Sequence, residues 1–378
     1  MASPRKAKIA VVIPKYGLVG GGERFAAEVT ERLALESDFE FHVFANRWRV
    51  FSDRVTFHRV PVVRFPRFLT TVSFAALANR QIAGQNFNLV HAHDRIFKAD
   101  LFTMHGVPHR FWVSEVRRKG MSLFDLATAW VEKKMVEEGG CRRFLAVSQL
   151  ALGKFLEQYP AAGRLAEVVY PGVALSRFAR FDGAAASREI RDRYGIAPQS
   201  PLLLFVSMNF ELKGLERIMR AIAMHRKGGA TVPPTLLVVG KGNRRKFEAI
   251  ARDLDIAGLV VFAGVWEQDI EKLYLAGDAF VMLSDFDTFG MAGLEAMAAF
   301  CPVIVSQQVG ARDLVAEGIN GFVVDRQDIG QISERLATVL QPGNRERMGY
   351  AARQTAEEYS WERVAERVAE VYRTLLTH

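Results

Sequence analysis

The sequence predicts an α/β protein with two doubly wound parallel sheets, and three observations support this. Short apolar runs of strand length alternate with longer amphipathic segments along most of the chain. The alternation breaks once, between residues 170 and 200, and then begins again. The length of 378 residues is also more than a single domain of ordinary size requires.

The first half of the chain contains six predicted strands. These are residues 9–13, 41–45, 55–60, 89–92, 101–104 and 144–147. Phe25, Val29 and Leu33 recur every four residues and predict a helix over residues 23–35. A basic and aromatic stretch, residues 109–138, is predicted to be mainly helical.

The second half begins after residues 181–200, whose alanines, charges and turn formers are typical of a connection between domains. Its predicted strands are residues 202–206, 235–239, 260–263, 279–283 and 303–305, and its predicted helices are residues 215–226, 244–254, 268–276 and 291–299. The tail has an amphipathic helix pattern. We therefore expect a first domain over 1–175, completed by a helix over about 361–378, and a second domain over 176–360.

The composition excludes several classes of protein. An apolar fraction of 49% with 24% charged residues is that of a folded globular protein. Cys141 and Cys301 are the only cysteines, which excludes a disulfide framework and favours a reducing cytoplasmic compartment. The first apolar run is too short for a signal peptide, and no run reaches transmembrane length. The net charge of +8 accompanies no nucleic-acid-binding motif, so nucleic acid is not an expected partner.

Two loops after predicted strands are suited to binding an anion. Glycines such as Gly21 and Gly22 let backbone amides approach an anion at a helix start, although a tight turn alone would also need them. Their spacing fits neither the dinucleotide fingerprint nor a Walker A loop. Lys213, followed by a glycine at another helix start, would place an ammonium group beside backbone donors, or would simply be solvated.

A third loop follows the predicted strand 279–283 and carries two carboxylates. Asp287 precedes a helix, and Glu295 lies within it. Carboxylates accept hydrogen bonds from adjacent sugar hydroxyls. The backbone amides that would face a phosphate are those of Phe289, Gly290, Met291 and Ala292. Asp285 and Asp287 alone are too few ligands to predict a metal site.

Three histidines lie at predicted strand ends, where ligand clefts form in parallel sheets. We expect the side chains of His91 and His93 to alternate across their strand, which with the lack of a third ligand argues against zinc. His91 is expected to be structural, and His105 is expected to face the cleft.

These residues, in this order, resemble the retaining GT-B glycosyltransferases of family 4 over nearly the whole chain. The motifs that carry the resemblance are Gly20-Gly21-Gly22-Glu23-Arg24, His91-Ala92-His93, Thr103-Met104-His105-Gly106, Tyr170-Pro171-Gly172-Val173, Lys213-Gly214, Val239-Gly240-Lys241-Gly242, Phe262-Ala263-Gly264, residues 287–295 and Tyr359-Ser360-Trp361-Glu362. Residues 210–221, 239–240 and 245–249 are most similar to the glucosyltransferases that add the first glucose to the heptose of the lipopolysaccharide core.

The resemblance implies a GT-B fold with two Rossmann-like domains facing a central cleft. It implies transfer of a hexose from a UDP-sugar, with UDP-glucose the first candidate, to a lipopolysaccharide-core or other lipid-linked saccharide. It also implies retention of anomeric configuration, with no metal or other cofactor. A soluble acceptor is one alternative, and a UDP-sugar 2-epimerase of similar architecture is another.

The resemblance also assigns roles to individual residues. Lys213 would contact the diphosphate, Glu295 the ribose and Asp287 the transferred sugar, while the amides of 289–292 would face sugar and phosphate. His105 would present a polar group to the sugar. Val265 and Trp266 would flank the nucleobase. Gly21 and Gly22 would lie under the donor phosphates or the acceptor.

Two departures from the family pattern concern the donor site. Asp287 stands where the family usually has a glutamate, and Met208 and Leu212 stand where related enzymes have an arginine. Separately, the cationic and aromatic residues of 109–138 suit an anionic lipid surface, although a solvated basic helix would have the same composition. With the family resemblance they predict a cytoplasmic protein that is peripheral on the inner face of the bacterial inner membrane.

Overall fold

The chain forms two compact units. A computed structural model describes residues 6–18, 20–36, 38–229 and 232–377. The first unit comprises Met1–Gly172 together with Trp361–His378, and the second comprises Val173–Ser360. Each unit contains one parallel sheet with helices around it.

The first unit is built on a seven-stranded sheet. Its strands and those of a small two-stranded pair are β1 (Ala7–Val12), β2 (Lys15–Tyr16), β3 (Phe39–Ala45), β4 (Arg47–Trp48), β5 (Val55–Arg59), β6 (Leu89–Ala92), β7 (Leu101–Met104), β8 (Arg143–Ala146) and β9 (Ala166–Val168). The large sheet has the order β5-β3-β1-β6-β7-β8-β9, and β2 pairs with β4. All of its pairings are parallel. Strand order reverses between β1 and β6, so a crevice is expected beyond their carboxyl ends.

The second unit repeats this plan with six strands. They are β10 (Leu202–Ser207), β11 (Thr235–Gly240), β12 (Val260–Gly264), β13 (Ala279–Met282), β14 (Val303–Ser306) and β15 (Gly321–Val324). Their order is β12-β11-β10-β13-β14-β15, with parallel pairing throughout. Here strand order reverses between β10 and β13. The loops after these two strands therefore border the crevice of this unit.

The helices cover the sheets. In the first unit they are α1 (Gly21–Leu33), α2 (Leu69–Ala83), α3 (His109–Phe111), α4 (Leu123–Glu138) and α5 (Gln149–Gln158). In the second they are α6 (Leu175–Phe178), α7 (Gly183–Tyr194), α8 (Leu215–Lys227), α9 (Arg244–Asp253), α10 (Glu271–Ala276), α11 (Met291–Ala298), α12 (Ile329–Leu340) and α13 (Pro342–Glu358). The final helix α14 (Trp361–Leu376) belongs to the first unit, where Trp361 packs edge-to-face on Phe25 of α1.

The shorter helical segments include one turn of unusual type. A π-helical segment spans Trp112–Val116, and 3₁₀ segments span Pro160–Leu165, Ala257–Leu259 and Gly310–Leu314. The stretch 109–138 is therefore helical but interrupted. A capping box of Ser122 and Asp125 begins α4.

The predicted fold class is confirmed, and each of the eleven predicted strands overlaps an observed strand. The observed units divide after residues 172 and 360, against the predicted 175 and 360. The predicted final helix ends at Leu376. Its predicted last residue, His378, and residues 1–5 of the predicted first domain lie outside the described residues.

The expectation of a connection over residues 181–200 is wrong, because most of this segment is helix α7 of the second unit. Asp182 caps the helix by accepting a hydrogen bond from the amide of Ala185, and Gly195 ends it with a φ of 62°. Ile190 is fully buried on its inner face. A single buried isoleucine among alanines and charges gave the sequence too weak a periodicity to reveal the helix.

Within the described residues, every helix is too short or too polar to cross a bilayer.

Candidate functional site

Lys213 lies in the turn between β10 and α8, at the crevice of the second unit. Its ammonium group donates a hydrogen bond to Asp287 and forms an ion pair with it. About one fifth of each side chain is exposed, 20% for Lys213 and 18% for Asp287. The following Gly214 has a φ of 77°, and a Cβ there would lie 2.2 Å from the carbonyl oxygen of Leu283. Glycine is therefore required for this turn to approach the end of β13.

Asp287 is fixed by its backbone as well as by Lys213. Its amide donates to the carbonyl of Gln308 at 2.8 Å, and its carbonyl accepts from the amide of Gly310 at 3.0 Å. The carboxylate also accepts from the amide of Phe289 at 3.3 Å. These bonds hold the side chain at the start of α11 before any ligand binds.

Helix α11 brings together the other residues predicted from this loop. Gly290 begins it with a φ of 87°, Phe289 is buried, and Met291 and Ala292 form its first turn, whose amides have no partner within a helix. Glu295, half-buried one turn later, accepts a hydrogen bond from the hydroxyl of Tyr274 at 2.8 Å. The loop thus combines a positive helix end, an ammonium group and two carboxylates.

The predicted nucleobase loop lies after β12 and contacts helix α7. Val265 is half-exposed at 51%. The indole N–H of Trp266 donates to the hydroxyl of Tyr194 at 3.0 Å, and the guanidinium of Arg193 lies 4.8 Å from the centre of the Trp266 ring. Helix α7, which the sequence predicted as a connection between domains, therefore positions Trp266.

The first unit has a cavity of about 360 Å³ beyond β1, β6 and β7. Gly22 and His105 both line it, and a Cβ on Gly22 would lie 2.8 Å from Cγ of the His105 ring. Gly21 precedes Gly22 as the first residue of α1 and is exposed. The predicted glycine loop and His105 therefore meet at this cavity.

His91 and His93 do not alternate across the strand as expected, since residues two apart share a face. Their ring centroids are 4.0 Å apart. His91 is fully buried, with its ring nitrogens 2.6 Å from the hydroxyl of Tyr372 and 2.7 Å from that of Thr103. Nδ1 of His93 lies 3.0 Å from Nε2 of His105. His91 is structural, and His93 supports His105.

Burial keeps this histidine cluster neutral. It lowers the pKa of His91 and of His105 to about 3, and nearby His105 contributes to the shift at His91. Burial, with the neighbouring histidines, lowers the pKa of His93 well below its usual value. At neutral pH, His105 therefore offers a neutral hydrogen-bonding group to the cavity.

The sequence did not predict a buried ionic network beside the same cavity. Nε of Arg95 donates to the carboxylate of Glu132 at 2.7 Å, and that carboxylate also accepts from the hydroxyl of Tyr159 at 3.0 Å and the amide of His109 at 3.1 Å. Burial alone would lower the pKa of Arg95, but Glu132 and Asp94 raise it above its usual value. In the sequence, only the position of Arg95 just after the predicted strand 89–92 could have indicated this network.

Asp285 and Asp287 pair with different basic residues. The carboxylate of Asp285 accepts from Arg217 at 2.7 Å and Arg326 at 3.2 Å, whereas Asp287 pairs with Lys213. Among the described residues there is no group of three or more His, Cys, Asp or Glu arranged to hold a metal ion.

Replacement of Gly22 by alanine is expected to displace His105. The added methyl group would overlap the ring, and such overpacking costs about 1–3 kcal/mol of unfolding free energy. Gly153→Ala in α5 is the matched control, because nothing lies within 4 Å of a Cβ there. Thermal unfolding should show a lower melting temperature for Gly22→Ala alone; equal melting temperatures would contradict the contact.

The neutral histidines make stability depend on pH. Their pKa values are lower in the folded chain than the ordinary 6.5, so the unfolded chain binds more protons below that pH. The unfolding free energy should fall as pH falls from 6.5 towards 3, with each buried histidine contributing a slope of about 1.4 kcal/mol per pH unit. Urea denaturation between pH 7.5 and 5 should show a shallower slope for His91→Gln; an unchanged slope would contradict neutrality of His91.

Comparisons with known proteins match each unit to a domain family. Residues 19–177 match the family described as Glycosyltransferase Family 4, and residues 186–355 match Glycosyl transferases group 1. A D-inositol 3-phosphate glycosyltransferase of Geodermatophilus obscurus is 30% identical over 250 residues, which cover 64% of this chain and 54% of the relative. An uncharacterized glycosyltransferase of Methanocaldococcus jannaschii is 25% identical over 334 residues, 84% of each chain. The chain spans about half the length of the inositol-phosphate relatives.

Solved structures share the architecture at low identity. WaaG, a glycosyltransferase involved in lipopolysaccharide biosynthesis, matches with a TM-score of 0.78 and 22% identity, covering 96% of this chain and 99% of WaaG. Anabaena HepE in complex with UDP-glucose matches with a TM-score of 0.73 and 16% identity, covering 97% of this chain and 99% of HepE. The chain therefore has the GT-B fold, and its two units match the models of Glycosyltransferase Family 4 and of Glycosyl transferases group 1.

Proposed function

We propose that this chain is a retaining glycosyltransferase that moves a hexose, with glucose the first candidate, from a UDP-sugar to a saccharide acceptor. The observation that carries the proposal is the Lys213–Asp287 ion pair at the start of α11. An ammonium group and helix-start amides at one crevice suit a diphosphate. HepE, of the same fold, has been solved with UDP-glucose, which supports this donor.

Each donor group has a proposed partner in the second unit. Lys213 and the amides of Met291 and Ala292 bind the diphosphate, and Asp287 accepts from hydroxyls of the transferred sugar. Glu295 accepts from the ribose hydroxyls, in addition to its bond with Tyr274. The remaining proposed contacts are the nucleobase with Val265 and Trp266, and the sugar phosphate with the backbone of Phe289 and Gly290. In the first unit, Gly21, Gly22 and neutral His105 provide polar contacts to a bound sugar.

The proposed reaction follows the charge that develops on the donor. The bond between the anomeric carbon and the β-phosphate oxygen breaks, and its electron pair stays on that oxygen. The acceptor hydroxyl oxygen bonds to the same face of the anomeric carbon, and its proton passes to the departing UDP. Lys213 and the amides of α11 stabilise the growing phosphate charge, so no metal ion is required for this role.

We also propose that the acceptor is lipid-linked and that the enzyme works on the inner face of the bacterial inner membrane. WaaG, which shares the fold, is described as acting in lipopolysaccharide biosynthesis. In this chain, Arg67 of the loop before α2 lies 4.8 Å from the centre of the Phe124 ring of α4, and Thr71 of α2 bonds to Thr128 of α4.

An apolar face accompanies this junction. Phe65 is 89% exposed and Leu123 is 70% exposed, although water disfavours both side chains. We define the membrane face as the exposed apolar residues of the segment before α2 and of helix α4: Val63, Phe65, Phe68, Leu123, Leu126 and Trp130. Exposed Arg64 and Arg67 neighbour it, and apolar residues beside cations suit an anionic lipid surface.

Lys213→Ala should lower turnover of the donor by about two to three orders of magnitude, because one preorganised donor to a developing anion is worth about 2.7–4 kcal/mol. Lys227→Ala, at the exposed far end of helix α8, which Lys213 precedes, is the matched control. Turnover of nucleotide sugars measures the effect, and UDP should raise the melting temperature of wild-type protein more than that of Lys213→Ala. Crystals soaked with UDP that show no density beside Lys213 and Glu295 would refute the site.

The same assay separates transfer from epimerisation. A 2-epimerase would keep the donor site but would convert UDP-N-acetylglucosamine without any acceptor. Formation of the epimer in the absence of acceptor would overturn the transferase proposal, whereas acceptor-dependent release of UDP would support it.

Phe65→Ser should lower the partition of the protein onto phosphatidylglycerol vesicles about tenfold, because burying a phenylalanine side chain contributes about 1.5–3 kcal/mol. Leu35→Ser is the matched control, since Leu35 is 67% exposed outside the membrane face. Vesicle flotation measures the effect, and high salt should weaken it. Equal losses for both variants, or no flotation of the wild type at low salt, would contradict membrane binding by this face.

A further inference from the structure

Two further cavities in the first unit form a groove beyond the carboxyl ends of β1, β3, β5 and β6. Their volumes are about 440 Å³ and 460 Å³, and both are lined by Asn46 and Arg47. The larger one, at the carboxyl end of β3, also has Trp48 in its wall, and the other reaches helices α2 and α4. We call these two cavities the basic groove. It adjoins the cavity of His105, because Lys15 and Arg95 line both.

Besides Arg95, four cations line the basic groove: Lys15, Arg47, Arg59 and Arg64. All four are exposed, and in the part of the chain that the structure describes none of them forms an ion pair. Other arginines of the same unit do have acidic partners, such as Arg32 with Glu28 and Arg142 with Asp100. Others of this unit, such as Arg54 and Arg110, also form no ion pair among the described residues, so the four cations are distinguished by lining one groove.

The carboxylates near the groove are already engaged. Asp94 is the single acidic residue among the described residues that line it, and its carboxylate pairs with Arg95 at 3.5 Å. Arg95 also pairs with buried Glu132, so this fifth cation is neutralised within the protein. The positive charge of the other four is left without a protein counter-charge.

Like charges gathered at a concave surface repel one another, and low-dielectric walls strengthen the field inside. An anion bound in the groove would relieve this repulsion. Three of the four cations are arginines, whose planar guanidinium groups bind phosphate oxygens through two hydrogen bonds. Neutral hydrogen-bonding groups, Asn46, Thr70 and Thr71, lie beside apolar walls such as Phe74, as a polyol requires.

We propose that the basic groove binds the phosphoryl group of a phosphorylated saccharide or polyol, and that this molecule is the acceptor. The proposal rests on the proposed transferase function, because it names the acceptor class of that reaction. The donor has its own cation and helix start in the second unit, so the groove is not needed for the donor diphosphate. The cations lie along one groove beside neutral hydrogen-bonding groups, which favours the phosphorylated end of a saccharide, lipid-linked or free, over a nucleic acid.

The chain provides a matched pair of arginines for the test, since Arg54 and Arg59 flank strand β5 at its two ends. Both are exposed, but only Arg59, at the carboxyl end, lines the groove. The variants are Arg47→Gln, Arg59→Gln and, as the control, Arg54→Gln. Glucose 6-phosphate and glucose are the probes, titrated by calorimetry into full-length protein that is saturated with UDP.

Glucose 6-phosphate should bind to the wild type, and glucose at least tenfold more weakly. Arg47→Gln and Arg59→Gln should each weaken glucose 6-phosphate binding about tenfold, a loss of about 1.4 kcal/mol, while Arg54→Gln leaves it unchanged. Added salt should weaken binding to the wild type more than to the two groove variants.

Three results would overturn the proposal: no binding of glucose 6-phosphate, equal binding by all variants, or an effect of the variants confined to flotation on phosphatidylglycerol vesicles. The last result would assign the cations to a lipid surface. Binding of UDP is measured in a separate titration of the unliganded protein. If UDP binds but glucose 6-phosphate does not, the groove proposal alone is rejected. If UDP does not bind, the proposed transferase function is rejected.

Discussion

The ion pair between Lys213 and Asp287 is the interaction on which the candidate donor site depends. It joins the loops after β10 and β13, the two strands at which the order of the second sheet reverses. Both side chains are about four fifths buried, so each charge has lost much of its hydration and needs the other. A bound diphosphate would compete with Asp287 for the ammonium group. In the proposed reaction, the ion pair would hold Lys213 in place before the donor binds, and Asp287 would become available for sugar hydroxyls as the phosphate arrives.

The two units present positive charge in different ways. In the second unit, one partly buried lysine is balanced by a carboxylate and helped by helix-start amides, which orients it strictly. In the first unit, four exposed cations stand around a groove without acidic partners. A cation that is held in one position by a carboxylate suits a reaction in which negative charge develops on a single oxygen atom. An unbalanced set suits a ligand that is only recognised, because its attraction extends over a longer range.

The sequence revealed the strands better than the contacts between loops. Apolar runs such as 202–206 are too short for a typical helix and are typical of buried strands, and the loops that carry Lys213 and Asp287 follow two of these strands. By contrast, β9 has three residues, and α7 has few apolar ones, so neither gave a periodic signal. Arg95 and Glu132 are 37 residues apart, and nothing in either segment indicates the other. The four groove cations are also far apart in the sequence. They come together only because the parallel strands place the segments that carry them at one edge of the sheet.

The return of the chain to the first unit explains why His105 stays neutral. Helix α14 places Tyr372 against His91 and Trp361 against Phe25, and the Phe25 ring centroid lies 5.1 Å from that of His105. These aromatic rings exclude water from one side of the histidine cluster, and this exclusion lowers the histidine pKa values. Helix α14 therefore contributes to the burial that lowers the pKa of His105, although it supplies none of the described residues that line the cavity.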